Sequence, residues 1–120
     1  MQRVEHEQIA NFFRNGDYQS ALDFLTTVGE KTKDVSDYWY YHAHIARKLG
    51  DLKHAELFCK KSLELSPTSR NANFEMGLIY QTTGEYKQAI SFLKKLIEDS
   101  VKNVHWADMV DTLNSLALTY

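Results

Sequence analysis

The sequence predicts an all-α protein built from repeated antiparallel helix pairs. Three observations carry that prediction. Glycine (five residues) and proline (one) are scarce, while 43% of residues are hydrophobic and 25% charged, a balance that suits packed helices better than a β-sandwich. Gly16, Gly50 and Gly84 recur at an interval of 34 residues. Each follows an amphipathic stretch whose apolar residues return every three or four positions, the helical period.

The same interval relates Asp17, Asp51 and Glu85, then Tyr18, Leu52 and Tyr86, then Ala21, Ala55 and Ala89. A glycine in the left-handed conformation can end one helix. The acidic residue beside it suits the start of the next, where free amides and the helix dipole favour negative charge. The alanine early in each second helix lets two helices approach closely. Helices are therefore predicted over about 3–15 and 18–29, 36–49 and 52–65, then 70–83 and 86–101.

In the first pair, Glu5 and Gln8 are expected to face water, as befits a terminal helix that packs on one side only. The polar stretch 30–36 (EKTKDVS) is expected to be a flexible junction. The middle pair, between Trp39 and Pro67, is the most complete unit. The core is expected to contain Phe12, Leu22, Leu25, Trp39, Leu49, Phe58, Leu63, Tyr80, Phe92 and Leu96.

The last segment breaks the period. Leu113 lies 40 residues after Asn73 (113 − 73), so six residues are inserted around 100–109 before a helix predicted at about 105–120. Its apolar residues Val110, Leu113, Leu116, Ala117 and Tyr120 would leave part of a stripe uncovered. That points to a truncated fourth repeat or to self-association, the alternative being a plain capping helix.

At this point the chain resembles the tetratricopeptide repeat family, whose pattern is W-x2-L-G-x2-Y…A-x3-F…P over 34 residues. The middle copy supplies Trp39, Ala43, Ala55, Cys59 and Pro67; the third supplies Met76-Gly77, Tyr80, Ala89 and Leu93. The first is the most divergent, keeping Phe12, Gly16, Ala21 and Leu25. The string TLNSLALTY is similar to the first helix of longer-repeat members such as those of kinesin light chains. The resemblance implies one domain over 1–120, a right-handed α-solenoid of about seven helices. Its repeats would span about 2–35, 36–69 and 70–103, followed by the extra C-terminal helix.

The resemblance also implies a function: an adaptor or scaffold that binds a partner peptide or helix in a concave groove lined by the first helix of each repeat. Carried onto this chain, the groove comprises His6, Phe13, Arg14, Tyr40, His44, Arg47, Lys48, Asn71, Phe74 and Gln81. Tyr40 and Phe74 would be apolar anchors, and Arg14, Arg47 and Lys48 would steer acidic residues of the partner. His44 would make the contact pH-sensitive below about pH 6.5. Family members that grip the acidic tails of heat-shock chaperones use a clamp of Lys, Asn, Asn, Lys and Arg. At the matching places stand His6, Ala10, Tyr41, Asn71 and Glu75, so that activity is not expected.

Other functions find little support. His42 and His44 lie about 200° apart on a helix and cannot share a metal, and His6-Glu7 lacks the second histidine of a zincin. Cys59 occupies a core slot with no histidine as its base, and no phosphate-binding glycine loop is present. Neither enzyme activity nor a cofactor is expected. A net charge of −2 gives no global attraction to nucleic acid, so RNA binding is the least supported reading. Homo-oligomerisation through the terminal helices is the alternative to peptide binding. With no apolar leader and one cysteine, a cytoplasmic setting is expected.

Overall fold

The computed structural model describes the backbone of residues 1–32, 34–103 and 106–119, and the side chains of 1–29, 34–98 and 111–119. Among the described residues every regular element is a helix: α1 (Arg3–Arg14), α2 (Tyr18–Thr32), α3 (Ser36–Lys48), α4 (Leu52–Leu65), α5 (Arg70–Thr83), α6 (Tyr86–Asn103) and α7 (Trp106–Thr119). They fall into two compact units, Met1–Pro67 and Thr68–Tyr120, divided after the only proline.

One backbone device explains the glycine–acid pair. At the end of α3 the Asp51 amide donates to the Ala46 carbonyl at 2.8 Å and the Gly50 amide to that of Arg47 at 3.1 Å. This is a Schellman closure, with Gly50 left-handed at φ +87°. Asp51 then opens α4, its carbonyl accepting from the Ala55 amide at 3.0 Å and its carboxylate from the His54 amide at 3.2 Å. Asp17 and Glu85 repeat the backbone part, donating to Phe12 and Tyr80 at 2.9 Å each. A single residue thus ends one helix and begins the next. Gly50→Ala isolates the backbone cost, because a Cβ there would meet nothing within 4 Å. It is expected to lower stability by about 1–2 kcal/mol, read by urea unfolding.

In the first unit Ile9, Ala21, Leu25 and Ile45 form a buried cluster, with Phe12, Leu22, Phe24 and Tyr38 packed against it. The helices α3 and α4 pack along their length, burying the small residues Ala43, Ala46, Ala55 and Cys59. Their far ends are joined by a reciprocal pair: Ser36 Oγ donates to the Ser62 carbonyl at 2.9 Å, and Ser62 Oγ to the Ser36 carbonyl at 2.8 Å. In the second unit Ala72, Met76, Ile79, Ala89, Leu93 and Leu96 are buried.

Three expectations change. The 30–36 stretch is not all junction, since α2 runs on to Thr32. α6 runs to Asn103, two residues past the expected end, and α7 begins at Trp106. The expected core is also redistributed. Leu25 and Leu96 are buried, but Trp39 and Phe58 are half-buried and stack on each other at 6.0 Å, and Leu49 is 58% exposed. Leu49 is the C-cap of α3, where the chain turns toward Gly50 and leaves the buried stripe. On α7, Leu113 and Leu118 are exposed, while Val110 and Tyr120 lie outside the described side chains.

Candidate functional site

In the first unit a line of rings joins three helices. Phe13 of α1 lies 4.5 Å from the His44 ring of α3 and 5.8 Å from that of Tyr41, centroid to centroid. Tyr18 of α2 packs beside Phe13 at 5.9 Å and reaches the His44 ring at 6.2 Å. Tyr40 extends the row, 5.3 Å from Tyr41 and 6.2 Å from His44. All five rings are half-buried, so each gives one part of its surface to packing and another to solvent. Aromatic surface held rigidly in this way can receive a partner at small entropic cost, because few rotamers remain to be frozen.

At the N-terminal end of the row, His6 of α1 meets α3. Its Nδ1 is 2.6 Å from the Tyr41 hydroxyl, and its Nε2 is 3.9 Å from Asp37 Oδ2. The arrangement that serves both has Tyr41 donating to Nδ1 and the Nε2–H turned toward the aspartate. Burial, and then the Asp37 charge, push the Tyr41 hydroxyl up to about 12, which keeps it a neutral donor. At the other end Arg47 Nη2 donates to His44 Nδ1 at 3.5 Å, and Lys48 is exposed beside it.

The structure therefore brings His6, Phe13, Tyr40, His44 and Arg47 together, with Lys48 adjoining. Arg14 donates instead to Asn11 on its own helix. Asn71, Phe74 and Gln81 all belong to α5 in the second unit. Asn71 is exposed and Phe74 half-buried. Gln81 holds α7, its amide donating to the Ser115 carbonyl at 3.0 Å and to Thr119 Oγ1 at 2.7 Å. Sequence reasoning missed Tyr41 as the hub of the site. The 34-residue offset makes His6 the equivalent of Tyr40 and gives no sign that its partner is the next residue. Among the described residues no three His, Cys, Asp or Glu side chains are placed to hold a metal, and no helix is long and apolar enough to cross a membrane.

No curated protein matches the sequence. Solved structures do match in fold. The TPR2B domain of yeast Sti1, in a complex with pHsp70, has a TM-score of 0.81 at 15% identity, over 97% of this chain and 93% of that one. The first TPR domain of human RPAP3 gives 0.72 at 18% identity, over 97% and 92%. The first TPR of Spaghetti (RPAP3), bound to the HSP90 peptide SRMEEVD, gives 0.71 at 18%, over 95% and 91%. Against the longer TPR2AB fragment of Sti1 the chain spans 45% of the length. The tetratricopeptide repeat model matches residues 36–69 and 71–98, which is 62 of the 120 positions. Those matches, with the 34-residue period and the repeated helix closure, show that this chain belongs to the tetratricopeptide repeat family.

Proposed function

We infer that this chain is a protein-interaction module that holds a segment of a partner protein against the α1–α3 face. The observation that carries the reading is the ring row Phe13–Tyr41–His44–Tyr40, half-buried and ending in the cations Arg47 and Lys48. Apolar side chains of the partner would pack on the rings, and acidic ones would meet the cations. Such charges at the edge of a surface act chiefly on association rate and salt dependence. Similarity in fold to domains solved with chaperone peptides supports the class of partner, a peptide segment. On this chain the α1 side of that face differs, since His6 is tied to Tyr41 and Asp37.

Peptides selected on the wild-type chain from a random display library are expected to combine an aromatic or aliphatic residue with Asp or Glu. The Arg47→Glu/Lys48→Glu variant should bind the selected peptide about tenfold more weakly, with a flatter salt dependence. Unchanged affinity in that variant, measured by fluorescence anisotropy at two salt concentrations, would discard the acidic-partner reading.

A further inference from the structure

The opposite side of α3 carries a second candidate surface, independent of the ring row. Where His44 points to Phe13 and Tyr18, His42 contacts Tyr38 at 4.7 Å and Phe58 of α4 at 5.3 Å. Beside it opens a cavity of about 350 Å³ between α2, α3 and α4, walled by Leu22, Ala46, Leu49 and Phe58. That volume lies within the range of pockets that enclose a ligand group. Its walls are almost wholly apolar. Burial holds His42 below the usual imidazole range, so this ring adds apolar surface rather than charge at neutral pH. Leu49, 58% exposed, stands in the wall with much of its surface uncovered.

The polar part of the lining is the Asp51–His54 pair. Asp51 Oδ2 is 2.7 Å from His54 Nδ1, and both side chains are more than half exposed. The carboxylate has oxygen lone pairs beyond those taken by the His54 amide and ring, because each oxygen accepts more than one hydrogen bond. The cavity thus combines an apolar interior with one acidic group in its lining.

We propose that this α2–α3–α4 cavity is a second docking site, which takes a partner segment presenting a large apolar side chain next to a lysine or arginine. The apolar group would cover Leu49 and Phe58, and the neighbouring cation would face Asp51. An acidic segment of the kind assigned to the α1–α3 face would not fit, because its carboxylate would oppose that of Asp51. The two faces of α3 would therefore select partners of opposite charge.

The test uses the whole chain and two small probes of the same shape, phenethylammonium and phenylacetate. In ¹⁵N-labelled protein at pH 7.5, phenethylammonium is expected to give saturable amide shifts at Leu22, Ala46, Leu49 and His54 in the millimolar range. Phenylacetate should bind roughly fivefold more weakly, as expected for one charge pair in water. Asp51→Asn, which keeps a good helix N-cap, should erase the difference between the probes while leaving the apolar binding. Three results would overturn the proposal: no saturable shift at these amides, equal binding of the anion, or a probe preference that survives Asp51→Asn. The same shifts appearing on protein concentration alone would assign the cavity to a second copy of the chain, and would also overturn it.

Discussion

Replacing Leu25 by alanine is expected to cost about 2–5 kcal/mol of stability, the largest single effect in the first unit. Leu25 is fully buried on α2, in the cluster it shares with Ile9, Ala21 and Ile45. The loss has two parts. Removing the side-chain atoms forfeits their transfer out of water, and the space they leave is refilled only partly, because rigid neighbours cannot collapse. The aromatics around the cluster, among them Phe12, Phe24 and Tyr38, belong to three helices and are already in contact with one another or with other rings. Such side chains cannot move into a void without breaking other packing, so the upper half of the range is expected. Thermal unfolding followed by circular dichroism should show a midpoint lowered by roughly 10 °C or more. A change of less than about 1 kcal/mol would mean that Leu25 does not bear on the core as its burial implies.

The second large effect is expected at Gly77→Val in the other unit. Gly77 lies in the middle of α5 with helical backbone, so its lack of a side chain answers to space and not to conformation. A Cβ at this position would come within 3.0 Å of Leu93 Cδ2 and 3.1 Å of Leu93 Cγ on α6. Leu93 is itself fully buried and has nowhere to swing. Alanine would gain about 1 kcal/mol of helix propensity over glycine and spend a similar amount moving Leu93, so Gly77→Ala should be close to neutral. Valine adds two further methyl groups to the same contact and is a poorer helix former. A loss of about 1–3 kcal/mol is expected, measured by denaturant unfolding beside the alanine variant. Equal stability of the two variants would show that α5 and α6 can separate without cost.

Much of the fold was legible in the sequence because it rests on local rules repeated in register. Helix starts at Tyr18, Ser36, Leu52, Arg70 and Tyr86 agree with those expected from the period. Before Tyr18, Leu52 and Tyr86 the glycine and the acid beside it satisfy backbone groups within a few residues, and before Arg70 the Ser69 hydroxyl does the same for the Ala72 amide. The site was legible in part. Tyr40, His44 and Arg47 could be set on one stripe of α3 by helical spacing alone, whereas Phe13 follows only from the family resemblance that carries this face onto α1. Tyr41 could not, since its role depends on a hydrogen bond to His6, 35 residues away, whose geometry follows from how two helices pack. Gln81 shows the converse. Its spacing suits a groove, yet it is engaged by α7, which the period-breaking insertion before 110 brings into the second unit at a register no repeat rule predicts.

By itself, then, the sequence determined the helices, their order, their turns and the family, all of which depend on periodicity and on hydrogen bonds closed within a few residues. Only the tertiary structure decided which side chains are buried and which pair. It moved Leu49 out to solvent, gave the core to small and aliphatic residues, and left the larger rings half-covered at the surface. The physical reason is that helix position fixes a direction around one axis. Burial and polar contact depend on the distance to a second axis, and that distance is set by side-chain volumes summed over both helices.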